Sequence, residues 1–292
     1  MQFKTKTPIE LGWSGDRKYC AEAFDGTKYF LRIATPEKAE RTRRAFEYQK
    51  RVAALGGPIC APIEIGECPD GSVYTVQSWI DGASAEELVP AMTAEEQYRL
   101  GLESGRILKR IHSVPAPPDA PDWEPRFNAK IDGKIRKYSE CPIQVQGAEC
   151  FIDYIEHNRT LLRGRPQCFQ HGDYHIGNMM LRRGELVIID FDRCDFGDPW
   201  EEFNRIVWCA QASPRFASGM VDGYFDGRVP REFWQLLALY ISSNTLSSIP
   251  WAIPFGESEI QKFTEQTIEI MSWYDEMRTI IPSWYADSFS VN

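Results

Sequence analysis

The sequence predicts an α+β fold of two lobes, a small β-rich N-terminal lobe and a larger helical C-terminal lobe. Short apolar runs closed by turn residues fill the first 80 residues, and amphipathic helical patterns dominate from there on. At about 150 residues per domain, the length of 292 residues leaves room for two domains or one large one. The composition changes at the turn sequence Ile80-Asp81-Gly82, which gives an N-terminal lobe over 1–80 and a C-terminal lobe over 81–292.

In the first lobe the runs Tyr19 to Phe24 and Lys28 to Ala34 flank Asp25-Gly26, a hairpin signal. Thr35, followed by Pro36 and Glu37, predicts a helix N-terminus, and the helix should run to Gly56-Gly57. Strands are expected near Ile63 to Gly66 and Val73 to Trp79, joined by Pro69-Asp70-Gly71. In the second lobe Thr93 and Glu96 form a capping box, and Leu100, Ser104, Ile107, Leu108 and Ile111 share one helical face. Pro115 to Pro121 reads as a surface connection, and helical patterns resume around 127–140 and 148–163. A β insertion follows at Cys168 to Gln170, Met179 to Leu181 and Leu186 to Ile189, with Arg183-Gly184 turning the last two. From Asp198 to about 278 the chain reads as helical again, opened by Asp198-Pro199-Trp200-Glu201 as cap, first residue and capping-box partner.

The charge balance narrows the class of partner. There are 33 basic and 42 acidic residues, a net of −9, divided as +2 over 1–80 and −11 over 81–292. A protein that grips nucleic acid by its phosphates needs a basic footprint, so nucleic acid is not an expected partner. No run of about 18 apolar residues occurs, so no membrane partner is expected. Nothing at the start resembles a signal peptide, and a cytoplasmic location is expected. The eight cysteines contain no C-x-x-C pair and read as reduced thiols, not as a zinc site or a disulfide framework.

The chemistry concentrates in His171-Gly172-Asp173-Tyr174-His175-Ile176-Gly177-Asn178 and in Val187-Ile188-Ile189-Asp190-Phe191-Asp192. Asp173 and Asn178 are five apart, the spacing of a kinase catalytic loop, and Asp190 ends the next apolar strand. Phosphoryl transfer needs one carboxylate to orient the attacking hydroxyl, and an amide with a second carboxylate to hold Mg²⁺ against nucleotide phosphates. Each residue alone reads more plainly as a turn or strand-end residue; together they favour the chemical role. A competing reading gathers His171, Asp173 and His175 around zinc or iron. His171 suits better the part of a buried hydrogen-bonding brace.

These motifs resemble the aminoglycoside phosphotransferases, within the wider group of small-molecule kinases that includes choline kinases and shares the protein-kinase fold. HGDYHIGN matches the family's H-G-D-x-x-x-x-N, and IIDFD matches its acidic metal-binding strand. LGLESGRILKRIHSVPAP and WIDG resemble the helix before the substrate insert and the segment joining the lobes. The resemblance covers nearly the whole chain. It implies a two-lobed protein-kinase-like fold, Asp173 as catalytic base, and Asn178 and Asp190 as Mg²⁺ ligands. Gly172 stands where protein kinases carry an Arg for a phosphorylated loop, and Phe191 to Asp198 is too short for a regulated loop. A constitutively active small-molecule kinase fits better than a signalling kinase.

The resemblance also sets expectations for the nucleotide, ATP or GTP. Gly12-Trp13-Ser14-Gly15-Asp16 sits where a loop covering the nucleotide is expected, which puts Ser14 and Gly15 near phosphate. The strand cation is Lys in most kinases, but YFLRIA offers Arg32, with Glu47 or Glu40 as its helix partner. The acceptor is expected to be a cationic amino sugar such as an aminoglycoside, as in an antibiotic-resistance enzyme. Asp192, Asp195, Glu201 and Glu202 are its candidate contacts, with Asp153 or Glu156 and Glu257 or Glu259 from the helical segments. Six tryptophans from Trp200 onward are expected mostly in the core. The alternatives are another small alcohol (choline, a nucleoside, a sugar, a macrolide or homoserine) and a nucleotide-binding pseudokinase.

Overall fold

A computed structural model describes residues 1–10 and 15–286. Strands β1 (Thr5–Pro8), β2 (Arg17–Glu22) and β3 (Lys28–Ala34) open the chain, and α1 (Ala39–Ala54) follows a 3₁₀ turn at Pro36–Lys38. Thr35 has the extended backbone of a cap but makes no capping bond through its side chain. Next come β4 (Pro62–Glu67), β5 (Val73–Ser78), β6 (Ala83–Ser84) and α2 (Ala85–Leu88). The helical stretch holds α3 (Ala94–Ile111), α4 (Trp123–Ser139) and α5 (Glu149–Asn158), ending at β7 (Cys168–Gln170). Then β8 (Met179–Arg182), β9 (Glu185–Ile188) and β10 (Asp195–Gly197) form the insertion. The remainder is helical: α6 (Ile206–Ala212), α7 (Pro214–Phe225), α8 (Arg231–Leu246), α9 (Ser248–Ala252), α10 (Glu257–Trp273) and α11 (Ser283–Ala286).

The chain divides into two compact units. The first unit holds residues 1–88 together with 171–173 and 177–195, and the second holds the rest. The β8–β9 hairpin joins the first unit through the backbone: Cys60 N–H donates to Ile188 O, and Ile188 N–H to Pro58 O, both at 2.9 Å. That parallel bridge between Ile59 and Ile188 brings Asp190 to the N-terminal sheet.

The sheet of the first unit is antiparallel in the order β1-β2-β3-β5-β4. Its core is Ala21, Leu31 and Val76, with Tyr19, Tyr29, Ile33 and Tyr74 packed around it. On α1 the buried residues Ala39, Thr42, Phe46, Gln49 and Val52 recur at three- and four-residue intervals.

In the second unit the capping box opens α3 as expected: Thr93 accepts from Glu96 N–H while the Glu96 carboxylate accepts from Thr93 N–H. Helices α3 and α7 then approach backbone to backbone. A Cβ on Gly105 would lie 2.1 Å from Met220 O, and one on Gly219 would lie 2.3 Å from Tyr98 O. Any side chain at those positions would force the helices apart. Asp198 is buried and gathers Arg165 Nε at 2.7 Å, Tyr240 Oη at 2.6 Å and Trp200 N–H at 2.9 Å. It is a structural anchor, but Glu201 does not reach back to complete a capping box; its carboxylate goes to Lys130 and Gln170. Trp234 and Trp284 are core residues, whereas Trp251 is exposed. Among the described residues no helix is long and apolar enough to cross a membrane, and all eight cysteines are free.

Candidate active site

The hairpin of the first unit sets the candidate groups. Arg183 and Gly184 take left-handed backbone angles and turn β8 into β9. Ile189 N–H donates to Asn178 O at 3.0 Å, and the Asn178 amide nitrogen donates to Asp173 O at 2.9 Å. Asp173, Asn178 and the strand end before Asp190 are thus tied together by hydrogen bonds.

His171 braces this loop from within. It is fully buried, and its Nε2 lies 2.9 Å from Ile189 O, while Nδ1 accepts from Asp173 N–H at 3.3 Å. An accepting Nδ1 places the ring proton on Nε2, which then donates to Ile189 O. Both ring nitrogens therefore serve the backbone. Among the described residues no three His, Cys, Asp or Glu side chains are grouped to hold a metal.

Gly172 is required by geometry. Its φ is +84°, and a Cβ there would lie 2.0 Å from Arg193 O. The same Arg193 sends Nη1 to 3.6 Å from Asp173 Oδ2. Asp190 also has left-handed angles, φ 63° and ψ 65°, a conformation Asp tolerates better than most side chains.

Around Arg32 the structure gathers more charge than the sequence reading assigned. Its Nε lies 2.7 Å from Asp16 Oδ2, its Nη1 2.9 Å from Asp190 Oδ1, and its Nη2 2.9 Å from Asp192 Oδ2. Lys38 Nζ holds the other oxygen of Asp16 at 2.7 Å, and the Asp16 side chain has no exposed surface. Burial opposes the charge of Arg32, but Asp190, Asp192 and Asp16 outweigh it and hold the guanidinium above its ordinary pKa. Burial likewise opposes ionisation of Asp190 and Asp16. Arg32 overcomes it at Asp190, and Lys38 with Arg32 at Asp16, so both carboxyls stay below the usual range.

Several expected partners lie elsewhere. Glu47 is exposed and pairs with Lys50 at 3.2 Å, and Glu40 is exposed too, because both sit on α1 opposite its buried face. The position facing inward is Gln49, which donates to Cys60 O at 2.8 Å and accepts from Gln77 at 2.9 Å. Arg32 takes its carboxylates from the loop before β2 and the turn after β9 instead of from the helix. Asp192, expected at the acceptor, is one of them. Glu202 is buried 3.5 Å from His112 Nε2 and belongs to the interior of the second unit. Glu201 is paired with Lys130 at 3.1 Å. Burial opposes its ionisation, but Lys130, Lys134 and Arg205 hold its carboxyl below the usual range. Asp195 is exposed, and so are Asp153, Glu156 and Glu257, with Glu259 half-buried. Gly15 is exposed with φ +68°, and Ser14 lies outside the described residues.

Sequence reasoning gave no role to Lys18, Lys38 or Arg193, and placed Asp16 only in the loop, without its ion pairs. Hairpin register was the available signal for Lys18, because pairing across Asp25-Gly26 sets it opposite Arg32.

The donor set suits a hard cation. Asp190 offers a carboxylate, and the amide nitrogen of Asn178 donates to Asp173 O, so the amide oxygen is the atom that would face a cation. Mg²⁺ commonly takes one or two such protein oxygens and completes its shell with water and phosphate, so the residues fit it.

A family model described as a phosphotransferase enzyme family matches residues 5–234. Among solved structures, the chain is similar to a thermostable mutant of aminoglycoside phosphotransferase APH(4)-Ia in a ternary complex with ADP and hygromycin B. That match has 14% identity, covers 100% of this chain and 96% of the other, and has a TM-score of 0.65. The amicoumacin kinase hAmiN, in complex with AMP-PNP, Ca²⁺ and Ami, matches at 13% identity, with 94% and 90% coverage and a TM-score of 0.66. A gentamicin–APH(2")-IIa complex matches at 14% identity, with 92% of each chain covered and a TM-score of 0.63. At these identities the likeness establishes the protein-kinase-like fold of the aminoglycoside kinases. No curated protein matches the chain.

Proposed function

The chain belongs to the phosphotransferase enzyme family, and on that premise we propose that it moves the γ-phosphoryl group of a nucleoside triphosphate to a hydroxyl of a small molecule with Mg²⁺. The observation carrying this reading is the hydrogen-bonded set of Asp173, Asn178 and the strand end before Asp190, with Arg32 against Asp190. Asp173 orients the acceptor hydroxyl and takes its proton, and Arg193 keeps that carboxylate in place. Asn178 and Asp190 would hold the metal, whose charge would neutralise the transferring phosphoryl oxygens. Arg32 steadies the nucleotide phosphates, and Gly15, at φ +68°, turns the backbone beside them. Positioning and charge neutralisation supply most of the rate.

For the acceptor we propose a cationic amino sugar of the aminoglycoside kind, phosphorylated in the cytoplasm, where eight free thiols stay reduced. The solved relatives with hygromycin B and gentamicin support it, as does the net −11 of residues 81–292. One observation favours a second reading, a different small alcohol: Asp192, Glu201 and Glu202 already have cationic or histidine partners. An ADP-release assay across amino sugars, choline, nucleosides, sugars, macrolides and homoserine separates them, with ATP and GTP compared and Asp173→Ala as the control. Turnover confined to amino sugars supports the first reading. Turnover on another alcohol alone replaces it, and nucleotide binding with no turnover favours a pseudokinase.

A further inference from the structure

We infer that Lys18 is a second ligand for the nucleotide phosphates, set beside Arg32 on the neighbouring strand. The inference rests on the kinase reading above and adds a residue that neither the motifs nor the family's strand cation assigns.

Strand register places it. Lys18 is the direct partner of Arg32 across β2 and β3, and directly paired residues project from the same face, with Cβ atoms about 4.5–5.5 Å apart. Lys18 follows Gly15 and Asp16 by two or three positions, at the start of the strand that leaves the expected phosphate loop. It is half-buried, and Asp190, Asp16 and Asp192 all act on its charge. Those are the three carboxylates that hold Arg32.

Arg32 is a constrained phosphate ligand. Its Nε, Nη1 and Nη2 each already face a carboxylate, of Asp16, Asp190 and Asp192, so a new anion meets a guanidinium whose orientation is fixed. A lysine ammonium is compact, carries three rotatable donors and follows a phosphate as a point charge. Burial and the nearby Arg32 push the Lys18 pKa below that of an ordinary lysine, and the three carboxylates only partly restore it. The plain alternative is that Lys18 only balances the three carboxylates and touches no ligand.

Calorimetric titration with ADP and with adenosine separates these roles, using wild type, Lys18→Met and Lys18→Arg. We expect Lys18→Met to weaken ADP about tenfold or more, the usual worth of a charge-assisted hydrogen bond, with adenosine changed less than about twofold. Lys18→Arg should recover most of the loss. In turnover, the KM for nucleotide should rise while kcat stays within a few-fold. A Met variant that binds ADP as wild type does, or that loses ADP and adenosine equally, overturns the role. Wild type needs no substitution for the second measurement: ADP, but not adenosine, should protect the Lys18 amine from an amine-reactive reagent, read by mass spectrometry. Equal labelling with either ligand overturns it. A wild type that binds neither ligand overturns the kinase reading together with this inference, whereas ADP binding indifferent to Lys18 overturns this inference alone.

Discussion

Arg32 Nη1 lies 2.9 Å from Asp190 Oδ1, so the strand cation of the sheet and the proposed metal carboxylate are ion-paired with each other. They are 158 residues apart in the chain and meet because β9 is bonded to the segment before β4. The contact makes Arg32 a structural residue as well as a proposed ligand. Its side chain is 8% exposed, and removing it leaves Asp16 buried with one cation fewer. Arg32→Ala should cost about 3–5 kcal/mol in urea unfolding, the usual penalty for stripping one partner from a buried ion pair. Arg32→Lys, which keeps the charge but cannot reach three carboxylates at once, should cost less.

Asp173 carries a different kind of prediction. Its backbone is fixed by His171 and Asn178, so Asp173→Asn should melt close to wild type. Its kcat should fall roughly a hundred- to ten-thousandfold, the worth of a positioned general base. Nucleotide affinity measured by calorimetry should hold. A variant turning over near the wild-type rate would remove Asp173 from the chemistry.

Gly172 tests the backbone argument. Alanine there must adopt φ +84° and place Cβ 2.0 Å from Arg193 O, so loop and turn must separate. Backbone strain of this kind costs on the order of 1–3 kcal/mol. Gly172→Ala should therefore lower Tm, and kcat with it, since Arg193 also holds Asp173. Unchanged unfolding and turnover would contradict the contact.

Lys134 makes a contribution of definite sign to the pH dependence. Burial, together with the nearby Lys130, pushes its amine from 10.5 down to about 7, against the weaker pull of Glu201. Between pH 7 and 10.5 the unfolded chain holds a proton that the folded chain lacks, so this residue makes stability rise with pH. Below about pH 7 the folded protein carries the full penalty of a charged, half-buried amine. Lys134→Met should therefore melt higher than wild type at pH 6, with the gap closing toward pH 10. A gap that stays constant with pH would mean the amine titrates normally.

Much of the fold could be read locally. The Thr93–Glu96 capping box, the Arg183-Gly184 turn and the hairpin at Asp25-Gly26 depend on short-range chemistry and stand where the sequence puts them. The spacing of Asp173 and Asn178 was equally local, and one side-chain hydrogen bond now joins them. Partner choice was harder. Glu47 and Glu40 share a face by their spacing, but sequence alone did not tell that face from the one bearing Phe46 and Gln49, which packs inward. The acidic residues expected at an acceptor were picked by sign, and sign does not say whether a carboxylate meets a ligand or an internal cation.

The sequence by itself determined an α+β chain with a β-rich start, a helical remainder and a phosphoryl-transfer motif set, because periodicity, caps and motif spacing act over a few residues. Tertiary structure alone decided which unit the motif hairpin joins, since the Ile59–Ile188 bridge spans distant segments. It also decided that Arg32 is held by Asp16, Asp190 and Asp192, with Lys18 beside it. Charges find partners by proximity in space, and a strand register or a long-range bridge sets that proximity where sequence distance does not.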